Sequence, residues 1–219
     1  MLKLIGLVSM IIDHFGITFF PSCIIFRIFG RIAFPIFAYQ VSVSYNFTSN
    51  KSNYLKRLIL FGAIAQFPYM FLFSSMNILL TFATSVIAMS GIDFVTHRVS
   101  CIRESFRKTL IFCVTIITFA IVFEAFKFEY GAYGFLSVLL FRYLPLKDNF
   151  QKVLILFSVM TMAFCFYSGF WVQIFSPITL IIIKALDSYR VKHNKYFFYV
   201  FYPLHLTVFV SVKFVTHLF

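Results

Sequence analysis

The chain is a succession of long apolar runs, separated by short segments in which lysine and arginine recur. About 20 residues of helix cross the hydrocarbon core of a bilayer, so this pattern predicts an all-α, polytopic transmembrane bundle. Composition closes off the alternatives. Of the 219 residues, 61% are hydrophobic and only 12% are charged, whereas a soluble domain carries about 25% charged residues. A disordered chain fails on the same arithmetic. The apolar stretches are continuous rather than alternating, which argues against a membrane β-barrel. No length remains for a soluble module, so residues 1–219 are expected to form a single integral-membrane domain.

Runs bounded by charge clusters and by Gly, Pro or Asn predict about nine spans, at 2–20, 24–45, 57–73, 77–91, 109–125, 131–145, 152–167, 170–185 and 196–217. Asp13 and His14 interrupt the first run and no small-residue cleavage pattern follows, so it reads as a retained helix rather than a signal peptide. The formal net charge is +12, and its placement orients the bundle. With the N-terminus in the cytoplasm, the inner segments hold Lys3, Lys51, Lys56, Arg57, Arg98, Arg103, Arg107, Lys108, Arg142, Lys147, Lys152, Lys184, Arg190, Lys192 and Lys195. The outer connections keep Lys127, with Lys213 near the end of the last helix. The positive-inside rule then predicts an N-in, C-out topology. Cations spread between apolar runs also argue against nucleic acid as a partner, which requires a clustered basic face. Cys23, Cys101, Cys113 and Cys165 lack metal-type spacing and read as packing residues.

Ionisable groups inside a span are costly unless paired or hydrated, by about 2.5–3.5 kcal/mol for Asp or Arg at the centre. Asp13 lies about 16 Å along the first helix at 1.5 Å per residue, with His14 next to it. Arg27 and Arg31 share one face of the second helix, being four residues apart. The short turn at Pro21 makes an Asp13–Arg31 pair natural, and such a pair alone would serve to hold the hairpin. His14 is left needing another partner or a pocket. Further polar residues fall at similar depth: Gln66, Asn77, Thr81, Glu124, Tyr130, Tyr133 and His205. Prolines 35, 68 and 203 free backbone carbonyls within spans, which is tolerated beside a cavity. Together these predict one intramembrane polar cavity.

Six stretches, SMIIDHFG (9–16), FRIFGRIAFPIFAY (26–39), YLKRLILFGAIAQFPY (54–69), MNILLTF (76–82), YGAYGFLSVLLF (130–141) and KYFFYVFYPLHL (195–206), together resemble the TraX family of polytopic membrane proteins. The resemblance implies a bacterial cytoplasmic-membrane protein that acetylates the N-terminus of a conjugative pilin. It also implies kinship with membrane acyltransferases that draw on a cytoplasmic coenzyme A donor. Acetyl-CoA is then the donor, an exported peptide or pilin-like chain the acceptor, the lipid bilayer the surroundings, and no metal is called for.

Acyl transfer needs a base and donors for an oxyanion. On this reading His14 is the base, with His205 as its rival. Asp13 anchors Arg31, and Arg31 or Arg27 stabilises the oxyanion. Gln66, Asn77, Tyr130 and Tyr133 surround acceptor or thioester, and Lys56, Arg57, Arg107 and Lys108 are candidates for the donor's phosphates. Two other classes fit the same residues: a small proton-coupled transporter using Asp13, Arg31 and the histidines as a relay, and a non-enzymatic assembly factor for a secreted peptide or pilus.

Overall fold

In the computed structural model, described over residues 1–98, 104–189 and 195–216 (of 96–98, 104–108 and 195 the backbone only), the chain is all-helical. Its helices are α1 (Leu2–Phe19), α2 (Ile24–Gly30), α3 (Ala33–Phe47), α4 (Lys51–Met70), α5 (Ile78–Arg98), α6 (Glu104–Ala125), α7 (Gly131–Tyr143), α8 (Leu146–Ser168), α9 (Ile178–Leu186) and α10 (Lys195–Val215). A 3-10 turn at Trp171–Phe175 precedes α9. Counted with α2 joined to α3 and the 3-10 turn to α9, each predicted helical segment is present among the described residues. Cys101, Arg103, Arg190 and Lys192 lie outside the described residues.

Two segments break where a continuous span was predicted. The 24–45 run divides at Arg31 and Ile32 because Pro35 has no N–H to give to the Arg31 carbonyl, and α3 restarts with the proline in its first turn, where no donor is needed. The 170–185 run divides at Pro177 for the same reason. α4 starts earlier than expected, since the Asn50 side chain caps it by accepting from Asn53 N at 2.8 Å; Lys56 and Arg57 are therefore helical residues rather than loop charges.

Five segments are long and apolar enough to cross a membrane: Leu2–Phe19, Ile24–Phe47, Ile78–Val95, Leu146–Ser168 and Tyr196–Val215. Thr109–Ala125 and Trp171–Leu186 are shorter apolar helices. Around a hydrophobic core, several polar and charged groups are buried and large apolar side chains cover the outside. Asp13, His14, Arg31, Asn77 and Gln173 are buried, whereas Val8, Ile25, Phe67, Ile117, Ile155 and Phe166 are exposed. Burying polar groups and presenting isoleucine and phenylalanine outward suits a multi-pass membrane protein with hydrocarbon as its solvent.

α1 packs on α2, α3 and α10; α10 packs on α4, and α3 on α7. Gly16 permits the tight α1–α2 crossing, because a Cβ there would run into the Cβ of Phe26. Ser9 Oγ also donates to the Phe29 carbonyl at 2.7 Å. This arrangement brings the first hairpin, the α6–α7 connection, the 3-10 turn and the middle of α10 to one place.

Candidate functional site

Asp13 of α1 accepts from Arg31 through both oxygens, at 2.6 Å each, and from Arg27 Nη1 at 3.0 Å. Arg31 is 2% exposed, so its charge is tolerable only because each of its nitrogens has an acceptor. Nε donates to the Arg27 carbonyl at 3.0 Å, Nη1 to Tyr130 Oη at 3.2 Å and Gln173 Oε1 at 3.1 Å, and Nη2 to the Asp13 carboxylate. Each of the three guanidinium nitrogens thus has a protein acceptor, with the Nη2 contact shared between the two carboxylate oxygens. Arg31 is thus an anchor that joins Asp13, the Arg27 carbonyl, Tyr130 and Gln173. Arg27 is the cation with capacity to spare: its side chain is 22% exposed and only Nη1 is bound to Asp13. Phe170 lies against both guanidinium groups, at 4.9 Å from Arg27 and 5.0 Å from Arg31.

His14 and His205 are hydrogen-bond partners. His14 Nδ1 stands 2.8 Å from His205 Nε2, with the rings 6° from parallel. His205 Nδ1 lies 3.0 Å from the Phe201 carbonyl, which can only accept. Nδ1 of His205 therefore carries the proton, its Nε2 accepts in the neutral ring, and His14 donates through Nδ1. The consequence is a defined tautomer: with both rings neutral, the lone pair of His14 is on Nε2. The His14 ring sits between Phe73 (5.5 Å) and the edge of Tyr202 (6.4 Å).

Tyr130 is held in the left-handed region (φ 63°), one residue before α7, and its ring stacks on Phe34 at 4.1 Å. Such a conformation is uncommon for a bulky residue and costs energy that the surrounding contacts must hold. Gln173 relays the cluster inward, with Nε2 3.4 Å from Tyr133 Oη. Tyr133 in turn meets Thr161 Oγ1 (3.1 Å) and Ser176 Oγ (3.2 Å).

Not every predicted polar residue joins this centre. Asn77 Nδ2 donates to Gln66 Oε1 at 2.8 Å and to the Gly62 carbonyl at 2.8 Å, and Asn77 Oδ1 accepts from Leu79 N at 3.0 Å. Gln66 Nε2 donates to the Ser75 carbonyl at 3.1 Å. These two amides brace α4 against the start of α5 through each other and the backbone. Glu124 likewise accepts from Ala132 N at 2.8 Å and secures the start of α7. Lys56 is exposed and Arg57 half-buried on α4; the Arg107 and Lys108 side chains lie outside the described residues.

Sequence reasoning missed three contributors: Gln173, Phe170 and Glu129. The first two fall in the broken segment read as an ordinary span. Glu129 sits in the α6–α7 connection, its backbone N–H bonded to the Met76 carbonyl at 2.9 Å and its carbonyl to Thr81 Oγ1 at 3.1 Å. Its Oε2 is buried with no hydrogen-bond partner among the described residues. Burial outweighs the nearby Tyr69 hydroxyl and pushes this carboxyl up to about 7. Its position just before Tyr130, in a polar triplet with Gly131, was the available signal. Among the described residues no three His, Cys, Asp or Glu side chains gather as a metal site.

The chain is similar to the probable fimbrial assembly protein FimC, serogroup H1, of Dichelobacter nodosus, with 24% identity covering 97% of this chain and 94% of that one. An uncharacterised protein of Rickettsia prowazekii (strain Madrid E) is 38% identical over 66 residues, covering 30% of this chain and 25% of that one. No solved structure matches. The TraX protein family matches residues 1–213, which takes in α1 with Asp13 and His14 and α10 with His205, and the chain belongs to the TraX family.

Proposed function

We propose that this protein is a membrane-embedded acyltransferase that moves an acetyl group from cytoplasmic acetyl-CoA to the N-terminal amine of an exported peptide or pilin-like acceptor. The observation that carries the reading is the His14–His205 pair, whose hydrogen bonds leave Nε2 of His14 as an oriented base beside the Asp13 clamp. Nε2 takes a proton from the amine as its nitrogen attacks the thioester carbonyl. The tetrahedral oxyanion is met by the free donors of Arg27. Collapse breaks the carbon–sulfur bond, the proton passes from His14 to the departing thiolate, and amide and free thiol result.

On this reading the molecule sits in the bacterial cytoplasmic membrane with about nine crossings, N-in and C-out. Lys3, Lys51 and Arg142 then face the cytoplasm, where the donor is made. The fimbrial assembly name of the Dichelobacter relative supports an acceptor of the pilin kind.

The test is turnover by purified protein in nanodiscs supplied with radiolabelled acetyl-CoA and a short peptide with a free N-terminus. Label transfer that disappears in His14→Ala, with folded protein at normal abundance, is the expected result. Proton-coupled flux without coenzyme A dependence would replace this reading with a transporter. Function in pilus assembly retained by His14→Ala would replace it with a non-enzymatic assembly factor.

A further inference from the structure

A cavity of about 380 Å³ lies between α1, α3, α4, α5 and α10, and its two ends differ in chemistry. At one end, where α1 and α4 begin and α3 finishes, it is lined by Lys3 and Arg57 beside Phe47, which is 80% exposed. Lys3 Nζ is 5.7 Å from the Phe198 ring, and Arg57 Nε is buried with no hydrogen-bond partner among the described residues. A shielded guanidinium donor without an acceptor is costly and marks a place for an anion. The middle of the cavity is mostly apolar, walled by Leu7, Met10 and Phe82, with Gln40 and Ser44 of α3 as its polar side chains. The far end is closed by Tyr202, whose hydroxyl is buried and whose ring is edge-on to His205 at 5.5 Å and to His14 at 6.4 Å.

From Lys3 to His14 is eleven residues of continuous helix, about 16 Å. A cationic mouth, a narrow, mostly apolar passage and a tyrosine wall under the histidine pair describe a ligand with an anionic head and a slender arm. We propose that this cavity binds a phosphate-bearing ligand, with its phosphates on Lys3 and Arg57 and its arm reaching Tyr202 beneath His14. Resting on the acyltransferase reading, the cavity is the donor's route: the phosphates stay at the cationic end while the thioester end arrives at Tyr202, whose ring stands edge-on to His14. Lys56, exposed one residue before Arg57, does not line the cavity and has no part in it. The same chemistry could come from a water-soluble coenzyme A thioester or from an anionic phospholipid entering from the bilayer.

Equilibrium binding of radiolabelled coenzyme A to the full chain in phosphatidylcholine nanodiscs tests the assignment, with native mass spectrometry of phosphatidylglycerol retention as the second arm. Lys3→Gln and Arg57→Gln should each weaken coenzyme A binding by about tenfold or more, the scale of a lost hydrogen bond to a charged group. Lys56→Gln should bind like the wild type. Retention of phosphatidylglycerol that depends on Lys3 and Arg57, without coenzyme A binding, would keep the phosphate site and overturn its assignment to the donor. Coenzyme A binding unchanged in both Lys3→Gln and Arg57→Gln would overturn the site while leaving the acyltransferase reading intact. Binding as expected but no His14-dependent label transfer would do the reverse. Failure of folded protein to bind either ligand would overturn the proposal.

Discussion

Gly30 of α2 and Asp13 of α1 share one space: a Cβ on Gly30 would overlap the Asp13 carboxylate. The missing side chain lets the carboxylate lie against the end of α2, between Arg27 within the helix and Arg31 just beyond it. Gly30→Ala must displace either the helix or the acid, and overpacking of this kind costs about 1–3 kcal/mol before any loss from the ion pair. The expected outcome is a lower thermal midpoint in detergent. Gly91→Ala in α5 is the control, since a Cβ there meets nothing within 4 Å. Its midpoint should hold or rise, because alanine favours helix over glycine by about 0.5–1 kcal/mol.

Asp13→Ala should be more damaging than any change at the surface. It strands a 2%-exposed guanidinium and removes the acceptor of three hydrogen bonds, a loss of about 3–5 kcal/mol for a broken buried pair. Arg31→Lys keeps the charge and loses the fork, because three ammonium donors cannot reach Asp13, Tyr130, Gln173 and the Arg27 carbonyl together. Both variants should show reduced folded yield by size-exclusion chromatography. A monodisperse Arg31→Lys with a wild-type midpoint would contradict the anchoring role.

His14 and His205 should separate kinetically. Removing a general base costs about 10²–10⁴-fold in rate, so His14→Ala should fall to background in an acetyl-transfer assay. His205→Ala should fall less, since it removes only the group that fixes the His14 tautomer. His205→Gln should recover part of that loss, an amide oxygen being able to accept from Nδ1 of His14. Equal loss in His205→Ala and His205→Gln would argue that position 205 acts directly.

At the opposite end of the bundle, Asp93 ties three elements together. It accepts from Tyr45 Oη at 2.7 Å, from Lys51 Nζ at 3.1 Å and from Arg142 Nη2, while Arg142 Nη1 donates to Asn46 Oδ1 at 3.1 Å. Asp93→Ala should lower stability by about 1.5–3 kcal/mol, the range for hydrogen bonds to charged groups. Because Lys51 is 46% exposed in the side chain, part of that loss should shrink in high salt. Activity per folded molecule should be unchanged, which distinguishes this clamp from the His14 centre.

The parts legible in the sequence were those where cost alone is informative. Asp13, Arg27 and Arg31 stand out because charge inside an apolar run demands a partner, and the short turn at Pro21 limits which partner it finds. His14 was legible as a residue in need of company, but not as the donor to His205, because 191 positions separate them and packing of α1 on α10 has no local signature. Gln173 and Phe170 were hidden by the break at Pro177, which hydropathy averages into an ordinary span. Gln66 and Asn77 stand out by residue type alone, and their part in bracing α4 against α5 was not legible, because position in a run says nothing about which partners a polar group finds.

Glu129 gives a pH dependence of defined sign. Its carboxyl is pushed up to about 7 in the folded protein by burial, above the usual value near 4.3 for an unperturbed glutamate. Between those two values the folded state holds a proton that the unfolded state has released, so stability falls as pH rises. The contribution is fully present below the unfolded value and lost as pH passes through about 7. Midpoints of the wild type and Glu129→Gln, measured in detergent from pH 5 to pH 8, isolate this group because other titrations cancel in the difference. The wild type should lose midpoint relative to the glutamine variant across that range. A difference that stays flat, or that changes in favour of the wild type with rising pH, would mean that the folded protein holds Glu129 ionised throughout and that a cation or a water-filled space faces its Oε2.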